Sequence, residues 1–289
     1  MNTRDRLLAC SYLARRGVVI AAIPAACAIS IWYSWVGDNA ILREKALAIT
    51  AGVTSASARI VAVNHWVYHN QGFGKNEHFF LVPALGPTPN QILESGGDCS
   101  DKSRLVSAML RELGIESGLA QIFLCRNCIP IHAFVEAVYE GGRMVVDPIW
   151  DLDYPAGDGR YLGIRDLAGT SRGRDHLAEL QSQRPAGDKI RSMPAAEATF
   201  DFAKSVNWEK NVVSRTVAYA LTFLGYDPDE LLRPHFLEDP KLALTWFFLG
   251  IAAMLIIASF VVGLLFPSLA HRCLQLRLPR RAWLTPLKG

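Results

Sequence analysis

Two long apolar runs bracket the chain. GVVIAAIPAACAISIWYSWV (residues 17–36) and LALTWFFLGIAAMLIIASFVVGLLF (242–266) carry no charged side chain. Each reaches the roughly 20 residues that cross a bilayer as a helix. Trp32, Tyr33 and Trp35 near one end of the first, and Trp246 near one end of the second, suit the membrane–water boundary. Between the runs the pattern changes. Ile60, Val63, Trp66 and Val67 recur at helical spacing within a helical region over 39–69. Gly72, Gly74, Pro83, Gly86, Pro87 and Pro89 then punctuate a long loop. Leu105, Val106, Met109, Leu110 and Leu113 define one face of a helix that begins near Cys99 and stops at Gly114. SGLAQIFL, IHAFVEAVY and RMVVDPIW read as strands, with Glu140-Gly141-Gly142-Arg143 turning the last two into a hairpin. Residues 155–194 are Gly-punctuated and polar, with one weak helix at 175–183. A clearer helix covers 208–224, with Val212, Val213, Val217, Ala220, Leu221 and Leu224 on one side. Helices followed by antiparallel strands make an α+β domain, not an alternating β-α-β one.

Composition sharpens the outer runs. Over 289 residues, 51% are hydrophobic and mean hydropathy is +0.17. That excess sits in the two runs. The first is longer than the apolar core of a cleaved signal peptide, and no small-x-small site stands out before Asp38, so we read it as an uncleaved anchor. Five segments follow: a tail over 1–16, a span over 17–36, a domain over 38–241, a span over 242–266 and a basic tail over 267–289. Arg4, Arg6, Arg15 and Arg16 precede the first span, and Arg272, Arg277, Arg280, Arg281 and Lys288 follow the second. Arg43, Lys45, Arg233 and Lys241 are fewer on the inner flanks, so both tails are placed in the cytoplasm and the domain across the membrane. The net charge of +3 is thereby explained by topology, and no nucleic-acid partner is called for. No Gly-rich phosphate loop is present.

The candidate chemistry lies in GGDCSDKS. Asp98 is a plausible N-cap, which puts Cys99 in the first turn of its helix, where unpaired N–H groups and the helix dipole favour a thiolate. Gly96 and Gly97 give the turn backbone freedom and keep the approach to the sulfur clear. His132 shares a strand face with Phe134 and Glu136. With a turn centred on Gly141-Gly142, Asp147 falls on that same face, about four residues from His132 along the strands; a bulge or a different turn is needed to close the gap. A thiol nucleophile needs a base within hydrogen-bond reach and a third group to orient the imidazole. Cys99, His132 and Asp147 are of those types.

GGDCSDKSRLVSAMLRELGI and IHAFVEAVYEGGRMVVDP resemble the bacterial transglutaminase-like superfamily: a G-x-C-x-D motif heading a helix, then H-A-aromatic-V-E, then D-P on the next strand. The resemblance covers about 61–150. It implies a papain-like core, with the nucleophile helix packed on an antiparallel sheet, and assigns Cys99 as nucleophile, His132 as base and Asp147 as orienting acid. Asp101, Lys102, Phe134 and Glu136 match the surrounding motif. It implies protein or peptide substrates, no cofactor and no metal. The reaction stays open, because such proteins include cross-linkers, peptidases, amidases and non-catalytic relatives. The expected protein is thus a two-pass enzyme of a bacterial inner membrane with a periplasmic catalytic domain. The alternative is a silent binding or assembly module of an envelope or exopolysaccharide system, with partners unspecified; a silent domain has no reason to keep all three residues.

Cys125 and Cys128 form a C-x-x-C before the His132 strand. A local disulfide is the reading favoured for an oxidising compartment, with free thiols or a redox or metal pair as alternatives. For an oxyanion donor beside the Cys99 N–H, Asn90, Gln91 and Trp66 lie upstream. Asp151 and Asp153 read as a solvated acidic loop before they read as cation ligands.

Overall fold

The computed structural model describes residues 3–125 and 128–265. The basic tail over 267–289, with its arginines and Cys273, lies outside them, as do Met1 and Asn2. Helix α1 (Thr3–Ile49) runs without a break through the first apolar run, Pro24 included. Helix α8 (Pro240–Leu265) contains the second. Both are long and apolar enough to cross a membrane, over Arg15–Ile49 and Pro240–Val262. The chain divides into two compact units. One holds the outer parts of α1 and α8, up to Tyr33 and from Leu244; the other is Ser34–Ala243. In the first, Gly17 meets Ser259 so closely that a Cβ would stand 2.3 Å from Ser259 Oγ, the close backbone approach that small residues permit between membrane helices.

The helical region expected over 39–69 is two helices. Gly52 takes φ +78° after the end of α1, and Ser55 caps α2 (Ala56–His69) by accepting from Ala58 N. The long loop that follows ends in a helix the pattern did not show, α3 (Pro89–Ser95), closed by a capping box between Thr88 and Gln91. Proline at its first position and seven residues of length left no apolar period to read. Helix α4 (Cys99–Glu112) follows at once.

Strands β1 (Ser117–Phe123), β2 (Pro130–Tyr139), β3 (Gly142–Asp147) and β4 (Leu152–Asp153) form one antiparallel sheet in chain order. The β2–β3 turn is Glu140-Gly141, because Tyr139 pairs with Gly142 and Val135 with Val146. The turn therefore sits one residue earlier than expected. That register sets Asp147 opposite Phe134, two positions from His132 instead of four. Val135, Ala137, Met144 and Val146 pack against Leu105, Met109 and Leu110 of α4 and Ile60, Val63 and Val67 of α2. The opposite face buries Ala120, Ile122, Phe134 and Val145 against Leu167, Leu177, Ile190, Met193 and Phe200. Burial of each large apolar side chain contributes about 1.5–3 kcal/mol, so the sheet is anchored on both faces. The Gly-punctuated stretch is thus a second layer, carrying α5 (Ile164–Leu167) and α6 (Arg172–Gln183) among short 3₁₀ turns.

Helix α7 (Val212–Phe223) starts four residues later than expected, capped by Asn211. It buries none of its residues. The apolar side that should face a core is open to solvent.

Candidate active site

Cys99 is the first residue of α4 and is half-buried. The Asp98 carboxylate accepts from Asp101 N at 3.1 Å, which caps the helix as expected. Gly96 uses the backbone freedom expected of it, and both glycines before Cys99 also admit close neighbours. Gly96 ends α3 at φ +77°, where a Cβ would stand 2.5 Å from the Gly72 carbonyl oxygen. A Cβ on Gly97 would meet Asp101 Cβ at 2.3 Å. Both serve close packing beneath the helix start; Gly74 N donates to Gly97 O at 3.3 Å in the same contact.

Lys102 and Asp101 explain their place in the motif. Lys102 is buried, and its ammonium donates to the carbonyls of Val67, Tyr68, Asn70 and Gln71 at 3.1–3.3 Å. It thereby satisfies the C-terminal end of α2, where backbone carbonyls otherwise lack partners. Burial holds its pKa down to about 8. Asp101 is pushed up to about 6 by burial and by Asp98 beside it, against the pull of Arg104.

His132 and Asp147 meet. His132 Nε2 lies 2.5 Å from Asp147 Oδ2, both side chains almost fully enclosed. The other oxygen, Oδ1, accepts from Ile149 N at 2.8 Å and Trp150 N at 3.3 Å. The turn after β3 thus fixes the carboxylate, and the carboxylate fixes the ring. A register irregularity between Ile122 and Phe123 inserts an extra residue into β2 just before His132; such bulges re-aim side chains. With Nε2 taken, Nδ1 is the nitrogen left for the thiol, and the imidazole is hydrogen-bonded to the Cys99 side chain as well as to Asp147. The structure therefore brings Cys99, His132 and Asp147 into one cluster.

Burial alone would depress the His132 pKa. The Asp147 charge, the hydrogen bonds to Asp147 and Cys99, and the Glu197 charge together carry it up to about 10. Its folded pKa thus exceeds its unfolded value of 6.5. The stabilisation is complete below the unfolded value and is lost as pH rises through the folded one. The stability of the wild type against thermal unfolding should therefore fall between pH 6.5 and 10, by a few kcal/mol. In His132→Gln that alkaline decline should flatten; an unchanged decline would remove the ion pair as its cause.

Glu197 was not among the sequence candidates. Its Oε2 accepts from Trp150 Nε1 at 2.7 Å and lies 3.6 Å from His132 Nδ1. It sits in a 3₁₀ turn over Ala195–Ala198, fifty positions downstream of Asp147 and without any motif. Glu136, by contrast, is structural: it pairs with Arg143 at 3.1 Å and accepts from Ile164 N at 2.9 Å, pinning the second layer to the sheet. Phe134 is core, edge-on to Phe200.

Of the upstream oxyanion candidates, Gln91 is held in the α3 capping box, and Trp66 packs on the first core beneath Lys45. Asn90 Oδ1 is buried without a partner. Cys125 and Cys128 are joined as a disulfide in the loop before β2. Asp151, at φ +54°, is hydrogen-bonded with His65 Nδ1 at 2.6 Å. His65, His69 and Asp151 present ligand-type atoms within 4.8 Å of one another, so a cation could be held there. The cluster is open to water, and the His65–Asp151 bond already accounts for the pair. Asp153 is half-buried on β4, and burial raises its pKa.

Residues 43–148 match the model of the transglutaminase-like superfamily; this segment, less than half of the chain, is a transglutaminase-like domain. No curated protein matches the chain. Similar solved structures include a candidate cysteine protease from Cytophaga hutchinsonii, 21% identical, covering 38% of this chain and 37% of that one with a TM-score of 0.31. Another is a candidate protease from Parabacteroides distasonis ATCC 8503, 14% identical, covering 44% of this chain and 28% of that one with a TM-score of 0.30. The chain thus spans well under half of either structure's length.

Proposed function

We propose that the transglutaminase-like domain is a cysteine enzyme acting on amide bonds of proteins or peptides, held at a bacterial inner membrane by α1 and α8. The observation that carries this reading is the single enclosed cluster of helix-start thiol, imidazole and carboxylate. Cys99 sulfur attacks the amide carbonyl carbon. The proton held at His132 Nδ1 passes to the leaving nitrogen, and the C–N bond breaks to leave a thioester on Cys99. Asp147 keeps the ring oriented and balances the imidazolium charge. The Cys99 backbone N–H, unpaired in the first helical turn, is a natural donor to the developing oxyanion. Water as acceptor gives hydrolysis; an amine gives acyl transfer. The experiment offers the full chain, in detergent, a library of glutaminyl peptides and follows ammonia release and amine incorporation together. Either product, absent in Cys99→Ser, supports the enzyme; neither product at any peptide supports the silent assembly module instead.

Localisation belongs to the same proposal. Lys241 Nζ bonds Asp38 Oδ2 at 2.6 Å and Ser34 Oγ at 2.8 Å, and Trp35 Nε1 donates to Asp239 at 2.9 Å. These contacts join the inner ends of α1 and α8, as two helices entering one face of a bilayer require. With the tails cytoplasmic, a reporter active only outside the cytoplasm should be on when fused near Gly187 and off after Lys288. The reverse pattern would invert the orientation and remove the oxidising setting proposed for Cys125 and Cys128.

A further inference from the structure

Helix α7 is amphipathic in the wrong sense for a helix of a soluble domain. Arg215, Ala218 and Thr222 look onto a cleft of about 1130 Å³ that is also lined by Glu136, Arg143 and Lys204. The opposite ridge, Val213, Val217, Ala220 and Leu224, recurs at i, i+4, i+7 and i+11, the spacing of one helix face. That ridge faces outward. Val213 is 73% exposed, Leu224 is 67% exposed, and the flanking Phe223 is 91% exposed. Contiguous exposed apolar surface of this kind marks a surface that something covers.

We infer that the covering surface is the lipid bilayer itself, with α7 lying in the plane of the membrane–water boundary. This rests on the membrane-anchored reading above. Four observations favour lipid over a protein partner. At 12 residues the helix is far too short to cross a bilayer, which needs about 20, yet it is apolar enough to be drawn to one. The exposed apolar surface does not end with α7. Exposed apolar side chains recur at Tyr226, Phe236 and Leu237 before the start of α8 at Pro240, so the same chain passes from the exposed ridge into a candidate span. Arg215 is the only charged side chain of α7, so the helix itself carries no acid against an anionic headgroup layer. Tyr226, exposed just after the helix, adds an aromatic ring of the kind that settles at headgroup level.

The consequence is positional. Arg143 of β3 and Glu230, ahead of α8, are bonded through the Glu230 carbonyl at 2.7 Å, and Arg165 pairs with Asp227 and Glu230 at 2.7 and 2.5 Å. The segment just after α7 is thus tied to the sheet. Seating α7 in the boundary would fix the tilt of the catalytic domain over the membrane, and with it the height at which a substrate strand reaches Cys99.

The test places an environment-sensitive fluorescent amino acid at Phe223 of the full chain in lipid nanodiscs. The same residue at Leu255 in α8, and at Gln183 on the exposed end of α6, gives the controls. Quenching is compared for iodide in water, for a nitroxide lipid labelled near the headgroup and for one labelled deep in the acyl chain. The proposal expects the Phe223 probe to lose most of its emission to the shallow nitroxide and little to iodide, and Val217→Asp to reverse that order. The Leu255 probe should respond to the deep nitroxide and the Gln183 probe to iodide alone. A Phe223 probe open to iodide overturns the proposal. So does one shielded from both iodide and lipid, which would put a second copy or another protein on the ridge. A Leu255 probe untouched by the deep nitroxide defeats the membrane anchor itself, and the α7 proposal with it.

Discussion

Asp147→Asn is expected to lower the rate of Cys99 acylation by ~10²–10⁴-fold while leaving the fold intact. Asparagine preserves the shape, and its amide oxygen can still accept from Ile149 and Trp150 N–H. Its NH₂ group then faces His132 Nε2, which becomes an acceptor, and the ring proton moves to Nδ1. That is the nitrogen left for the thiol, and a protonated neutral ring there cannot take the thiol proton. The loss should therefore appear in acylation rather than in substrate affinity, and circular dichroism should match the wild type. Cys99→Ala should abolish acylation outright. If Asp147→Asn acylated at the wild-type rate, Asp147 would be a packing residue and the orienting role would be withdrawn.

Lys102→Met should destabilise the domain without touching the reacting groups. It removes one buried ammonium and leaves four carbonyls at the end of α2 without their donor. Leaving buried acceptors without their donor typically costs ~1–3 kcal/mol. Methionine keeps the stem's packing, so the loss reports the hydrogen bonds rather than a cavity. Chemical denaturation of the detergent-solubilised chain, followed at the aromatic side chains, measures it. A change under about 0.5 kcal/mol, the scale of a surface substitution, would mean that water replaces the ammonium. Because Lys102 lies three residues after Cys99, the same variant should loosen the helix start and slow acylation.

The two predictions mark where sequence reading reached and where it stopped. Cys99, its cap Asp98 and the face of α4 were legible because helix caps and helical periods are local. The strands were legible for the same reason, while the packing of the nucleophile helix on the sheet came from the family resemblance. What failed was the turn. Reading it at Gly141-Gly142 instead of Glu140-Gly141 moved Asp147 by two positions along β2, and the bulge before His132 left no trace in residue type. Lys102 matched a motif, yet its partners are backbone carbonyls, which no sequence pattern reports. Glu197 and the second layer were hidden for another reason. Leu162, Leu167, Leu177, Ile190 and Phe200 are spread over short 3₁₀ turns and a helix that buries only Gly173 and Leu177, so no period forms. Helix α7 was readable as a helix, and its apolar side was found correctly. The direction in which that side faces depends on what lies outside the domain.

The central claim is that Cys99 and His132 act as a pair. It is tested most directly by the rate at which a thiol-directed nitrile probe labels Cys99 in the full chain, compared with a free model thiol at the same pH and with His132→Ala. The account predicts that Cys99 labels faster than the free thiol, and that His132→Ala brings the rate down to that of the free thiol or below. Labelling no faster than the free thiol, and unchanged in His132→Ala, would contradict it and leave Cys99 as a small residue packed at the start of α4.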